Sequence, residues 1–194
     1  MICNIVSDSS CDLMQRDFTS NRVRFEVVPL RIQVGEREFV DDDELVVPDL
    51  LAAMAEEKGP SSTACPSPAA FAKAFAAGDK TVCFTISGNL SGTYNAAVMG
   101  REMALEEHPE KEICVIDSRA TAGAMVLLIR RARELMEADT TGDFAGSCAQ
   151  QRVYQAALRT CFTLENFDNL IKNGRMRPLV GTLLRSLGIH VIAD

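Results

Sequence analysis

Basic charge is in short supply: 20 lysines and arginines stand against 27 aspartates and glutamates, a formal charge of −7 over 194 residues. Such a chain offers no electrostatic footprint to a phosphate backbone or an anionic bilayer, so nucleic acid is not an expected partner. Histidine is scarcer still. His108 and His190 are far apart and without clustered partners, which leaves a zinc site short of ligands. The seven cysteines, Cys3, Cys11, Cys65, Cys83, Cys114, Cys148 and Cys161, are odd in number, widely spaced and free of any C-x-x-C pair. That usage predicts reduced thiols in a cytoplasmic protein. Cysteines inside apolar runs, as in Thr81-Val82-Cys83-Phe84, read as small buried hydrophobes with no catalytic role. Long apolar runs are missing too. The longest, Ala122 to Ile129, falls far short of the ~20 residues of a membrane span. The first residues, Met1 to Asp8, carry neither the basic flank nor the apolar stretch of a signal peptide.

What is present is the composition of a folded domain, 47% hydrophobic and 24% charged. Short β-branched runs at Ile2–Val6, Phe25–Ile32, Thr81–Ile86, Ile113–Ile116, Cys161–Leu164 and Ile189–Ile192 read as strands. Their near-continuous apolar character predicts burial on both faces, as in a parallel sheet. Helical periodicity fills the gaps. Asp49–Lys58 follows Pro48, and a helix with Phe71 and Phe75 four residues apart starts at Ser67-Pro68 and ends at Gly78. Asn89–Glu107, Thr121–Ala138, Phe144–Arg159, Asn166–Asn173 and Leu179–Leu187 complete the set. The expected fold class is therefore α/β, a mostly parallel sheet flanked by helices. Arg31–Val40 interrupts it as a hairpin around Gly35-Glu36 with a II′-type turn. Asp41-Asp42-Asp43-Glu44 after it reads as a solvated loop. Thr141-Gly142-Asp143 marks a candidate boundary between 1–142 and 143–194.

In an open α/β sheet, ligands bind beyond the carboxyl ends of the strands, beside helix N-termini. Small polar segments fall at that edge: Ser7-Asp8-Ser9-Ser10 after the first strand, Ser87-Gly88-Asn89-Leu90-Ser91-Gly92-Thr93 after Thr81–Ile86, and Asp117-Ser118-Arg119-Ala120-Thr121 after Ile113–Ile116. Hydroxyls and unpaired N–H groups there favour an anion, phosphate or carboxylate. Ser61–Pro68 is a fourth polar segment, in which Thr63 lies too far upstream of the helix to cap it. Arg175 follows Gly174, placed either to meet helix-end carbonyls or to neutralise an anion. Neither a P-loop nor a nucleophile elbow is formed around Ser91, and neither histidine has an evident serine or acidic partner. The pattern suits anion binding without catalysis; a hydrolase or transferase using Ser91 as nucleophile is the alternative.

Taken in order, Ser7-Asp8-Ser9-Ser10-Cys11-Asp12-Leu13, Val28-Pro29-Leu30, Thr63-Ala64-Cys65-Pro66-Ser67-Pro68, Ile86 to Tyr94, Val115-Ile116-Asp117-Ser118 and Asn173-Gly174-Arg175-Met176 resemble the DegV family of bacterial fatty-acid-binding proteins. Leu90-Ser91-Gly92-Thr93-Tyr94 is the most specific of these strings. The resemblance implies a non-enzymatic acyl carrier that needs no cofactor. It would enclose a long-chain fatty acid and present it to a fatty-acid kinase, whose acyl-phosphate product enters phospholipid synthesis. By the same resemblance Thr63 and Ser91 hold the carboxylate, Gly92 admits the head group close to the backbone, and Arg175 lies near it. Phe71, Phe75, Phe84 and Phe162 are candidates to line the acyl chain. The family usually has serine at Ala64, glycine at Asn173, and lysine and proline at His190 and Val191, and its members continue further. On that comparison 1–142 is a DegV-like first domain and 143–194 an incomplete part of the second. A degenerate paralogue that keeps the fold without the lipid is the remaining alternative.

Overall fold

The computed structural model describes residues 2–163 together with Ile171, Arg177, Ile192 and Ala193. Of the strands described, β1 (Cys3–Asp8), β2 (Val23–Val28), β6 (Lys80–Thr85) and β7 (Glu112–Asp117) form one sheet in the order β2-β1-β6-β7, parallel throughout. The register aligns Ile5 with Phe25 and Val82, and Cys83 with Val115. Because side chains alternate along a strand, β1 sends Ile5 to one face and Val6 to the other. Both faces are covered, which is why these strands read as continuous apolar runs.

On the Ile5 face lie α4 (Gly123–Ala138) and α5 (Phe144–Ala157). The α4 residues Met125, Leu128, Ile129, Ala132 and Met136 recur at helical spacing and bury against Phe25, Val82, Phe84 and Ile116. On the Val6 face lie α2 (Pro68–Ala76) and α3 (Thr93–Glu107), whose Phe71, Phe75, Ala97 and Ala104 pack on Val28, Cys83 and Val115. Ser67 caps α2 by accepting from Ala70 N at 3.2 Å. The two helices meet closely at Gly100, where a Cβ would stand 2.6 Å from Pro68 O and 2.7 Å from Phe71 Cβ. From α5, Arg152 donates to Val115 O of β7 at 3.3 Å and Gln155 to Ser118 O, just past that strand, at 3.2 Å. These residues, 2–30, Asp41–Glu44 and Cys65–Leu158, form one compact unit.

A second unit holds Arg31–Val40, Leu45–Ala64 and the described residues from Arg159 onward. Its hairpin, β3 (Arg31–Val34) and β4 (Arg37–Val40), turns at Gly35, whose φ of 58° with no positive φ at Glu36 fits the expected II′ turn. Helix α1 (Val47–Glu56) adds Leu50 and Ala53 to a small cluster around Val34. A two-residue antiparallel ladder joins β8 (Phe162–Thr163) to β9 (Ile192–Ala193).

Several expectations need correction. The run from Phe25 to Ile32 is not one strand: Pro29 offers no N–H, Leu30 N donates to Ser9 Oγ at 3.0 Å, and the chain leaves for the other sheet at Arg31. Ser62–Ala64 is a strand, β5, pairing antiparallel with β3 through Ile32 and Thr63. The last ladder is antiparallel, where a parallel strand was expected. Helix α5 packs on α4 and β7, so 144–157 groups with the first unit, while the hairpin groups with the second. The expected helices at 166–173 and 179–187 lie almost wholly outside the described residues.

Glycine to alanine inside a helix ordinarily adds about 0.5–1 kcal/mol. At Gly100 the sign reverses, because the new methyl meets the α2 backbone: Gly100→Ala is expected to destabilise the protein by about 1–3 kcal/mol in denaturant unfolding followed by circular dichroism.

Candidate functional site

The carboxyl ends of β1, β6 and β7 each run into a polar turn, and hydrogen bonds lace these turns together. Asp8 ends β1 with no solvent exposure. Its Oδ1 accepts from Ser10 N at 3.0 Å and from the Ser10 hydroxyl, while Oδ2 accepts from Ile86 N, just past β6, at 2.7 Å. Burial raises the Asp8 pKa above the usual carboxylate range, against the pull of the Ser10 and Ile86 bonds, and the nearby Asp41 charge adds to the rise. Asp117, ending β7, accepts from Gly88 N at 3.0 Å and Arg119 N at 2.9 Å. Ser87 N donates to Ala120 O at 2.9 Å, and Ala122 N to Ser10 O at 2.8 Å. The last of these turns is strained, with Arg119 at φ 53° and Ala122 at φ 51°.

Ser91 and Gly92 come together in the turn that opens α3. The helix begins at Thr93 rather than Asn89, because Ser87–Leu90 forms a separate turn closed by Leu90 N to Ser87 O at 2.9 Å. Ser91 Oγ, half-buried, shares a hydrogen bond of 2.8 Å with the buried Thr93 hydroxyl and accepts from Thr93 N at 3.3 Å. That places a hydroxyl beside first-turn amides, which have no intrahelical acceptors. Gly92 is exposed, and the nearest described atom to a Cβ built there is Cys65 Sγ at 3.8 Å. A small anionic group would find donors and open space here, whereas the partners of Ser91 are those of a cap rather than of a general base.

Thr63 sits in β5 of the second unit, exposed and opposite Ile32. Arg175 and the side chain of Phe162 lie outside the described residues. Phe71, Phe75 and Phe84 are fully buried, the first two under α3 and the third on the α4 face, so they are core on opposite sides of the sheet instead of a common lining. A separate open groove of about 250 Å³ beside Met14, Val27 and Pro29 is edged by Asp42, Asp43 and Glu44, an unfavourable seat for a carboxylate. Among the described residues no group of three or more His, Cys, Asp or Glu is placed to hold a metal, and no helix is long and apolar enough to cross a membrane. Reading the sequence by motif overlooked Asp8 and Thr93 as the residues that fix the turns. The signal was there: Asp8 and Ser10, like Ser91 and Thr93, stand two residues apart, the spacing of side-chain-closed turns.

Asp8→Ala leaves two backbone donors without their acceptor and is expected to cost about 3 kcal/mol in urea unfolding. A carboxyl whose native pKa is raised binds its proton more tightly folded than unfolded, so stability falls as pH climbs from the ordinary carboxylate range through the raised value. Measured from pH 3 upward, wild type should therefore lose stability relative to Asp8→Asn across that window and run parallel to it above.

The family model described as an uncharacterised protein of the DegV family matches residues 3–194. A DegV domain-containing protein of Streptococcus pyogenes serotype M1 is 37% identical over 192 residues, covering 99% of this chain and 68% of that protein. Among solved structures, the Streptococcus pneumoniae fatty acid kinase B3 protein loaded with linoleic acid aligns with a TM-score of 0.90 at 35% identity, over 99% of this chain and 68% of its own. A DegV family protein from Eubacterium eligens loaded with heptadecanoic acid aligns with a TM-score of 0.86 at 33% identity, over 99% of this chain and 67% of its own. Alike in sequence and in fold along nearly its whole length, the chain belongs to the DegV family.

Proposed function

We propose that this protein binds a long-chain fatty acid and presents it, without chemistry of its own, to a fatty-acid kinase. The observation that carries the reading is the alignment at TM-score 0.90 and 35% identity with a fatty acid kinase B3 protein loaded with linoleic acid. The relative loaded with heptadecanoic acid supports it, as does a stearic acid-binding protein from Eubacterium ventriosum at TM-score 0.72 and 30% identity. In this reading the carboxylate is held by the Thr63 and Ser91 hydroxyls, with Gly92 leaving room for the head group and Arg175 near it. The open space above Gly92 and the amides opening α3 favour an anion in that position. Most of the affinity comes from the acyl chain at about 0.8 kcal/mol per buried CH₂, while each bond to the charged head group adds about 1.5–3 kcal/mol. The kinase supplies the phosphoryl donor, and the acyl-phosphate made from the presented carboxylate feeds phospholipid synthesis. In this reading the protein works in the cytoplasm, whose reducing conditions suit its free cysteines.

Organic extraction and mass spectrometry of protein purified from bacterial cells should yield a long-chain fatty acid; an empty protein would end the proposal. Thr63→Val and Ser91→Ala are each expected to weaken oleate binding about 10–100-fold by titration calorimetry. Ser91→Ala also removes the hydroxyl acceptor of Thr93 N, so its melting point should drop modestly while its circular dichroism spectrum stays native. Wild-type affinity in the double variant would overturn the head-group assignment.

A further inference from the structure

Three side chains meet where α5 lies on β7, away from the polar turns described above. Strand β7 turns Cys114 toward α5, and α5 presents Cys148 to it within the same core. Both belong to one buried cluster, and Cys148 stands four residues before the arginine that touches Cys114 Sγ. One helical turn beyond Cys148, and so on the same face of α5, Arg152 reaches back until its Nη2 stands 3.6 Å from Cys114 Sγ. Val115 O fixes that guanidinium in place at 3.3 Å. Both cysteines are 8% exposed, within reach of a small oxidant but shielded from a bulky one.

We infer that Cys114 and Cys148 form a peroxide-reactive dithiol in which Cys114 is the attacking sulfur, Cys148 the resolving one and Arg152 the positioning residue. The Cys114 thiolate attacks one oxygen of hydrogen peroxide. An S–O bond forms, the O–O bond breaks, and the departing hydroxide takes up the proton that the Cys114 thiol released and leaves as water, giving a sulfenic acid at Cys114. The Cys148 sulfur then attacks the sulfenic sulfur. The S–S bond forms, the S–O bond breaks, and a second water leaves with the Cys148 proton. Two thiols and one hydrogen peroxide thus become one disulfide and two waters, with sulfur oxidised and oxygen reduced. A thiolate is the reactive form, and the surroundings favour it at Cys114. The neighbouring Cys148 thiol foremost, then the Arg152 and Arg101 charges, hold the Cys114 thiol below its ordinary range in spite of burial. The Cys114 sulfur in turn raises Cys148, helped by burial and by the Glu112 charge. Cys11 and Cys83, by contrast, are driven up by burial, Cys11 to about 11, and are inert packing.

Cys65 and Cys161 are exposed and serve as internal competitors. The reduced full chain is treated with hydrogen peroxide at pH 7, alkylated, digested and mapped by mass spectrometry. A peptide pair joined through Cys114 and Cys148, lighter by two hydrogens, is expected before any change at Cys65 or Cys161. In Cys148→Ser the reaction should stop at a Cys114 sulfenic acid that dimedone traps. Arg152→Gln should slow the reaction at least ~10-fold and shift its pH profile upward, and Arg152→Lys should restore much of the rate. Oxidation of Cys65 and Cys161 while Cys114 and Cys148 stay alkylatable overturns the inference. So does a pair that forms no faster in the folded protein than in urea, and a wild-type rate in Arg152→Gln overturns the part given to that residue.

Discussion

One carboxylate, Asp8, fixes the edge of the sheet where the candidate site stands. It ends β1 out of reach of water, and its acceptors hold the amides of Ser10 on its own turn and of Ile86 on the neighbouring strand. Taking a carboxyl out of water is costly unless donors surround it, so the turn after β1 and the exit of β6 are constrained together. From there the lacing continues. Ser10 O anchors Ala122 at the start of α4, Ala120 O takes Ser87 N, and Asp117 takes Gly88 N. The turn carrying Ser91 and Gly92 is therefore held by neighbours on both sides, a rigid mount for a hydroxyl whose value lies in its position.

Much of the first unit is legible along the chain because its strands are buried on both faces and its helices carry their own punctuation. Ile5, Cys83 and Val115 stand in short, mostly apolar runs, and Ser67-Pro68 both caps and starts α2. β5 is different. Ser62, Thr63 and Ala64 are small, exposed and without alternation, and become a strand only because β3 offers them a partner some thirty residues away in sequence. The same non-locality hides the division into units, since the hairpin and α5 each join a body that their place along the chain does not suggest.

Of the candidate site, Ser91 and Gly92 are readable as a polar turn before a helix, and the family resemblance points to them independently. The residues that hold them are not readable. Asp8 looks like any strand-ending aspartate until the fold brings Ile86 N to it. Cys114 and Cys148 read as ordinary small core residues, and they are core. What distinguishes them is Arg152, whose distance from Cys114 is a property of how α5 docks and of nothing local in the sequence. Phenylalanine failed as a guide for the opposite reason. Aromatic residues at helical and strand spacing are what any closed core requires, and Phe71, Phe75 and Phe84 fill the two faces of one sheet.

The bonds from Arg152 and Gln155 to carbonyls of β7 and its exit bear on how the molecule behaves in a crowd. Among the described strands β7 ends the parallel sheet, and a strand edge without a partner is the template that strand addition and cross-β stacking use. Here Arg152 occupies one acceptor of the strand, Val115 O, and Gln155 one just past its end, Ser118 O. While α5 stays packed these two carbonyls are not offered to another chain, and how seldom the helix lifts from the strand sets how often they are.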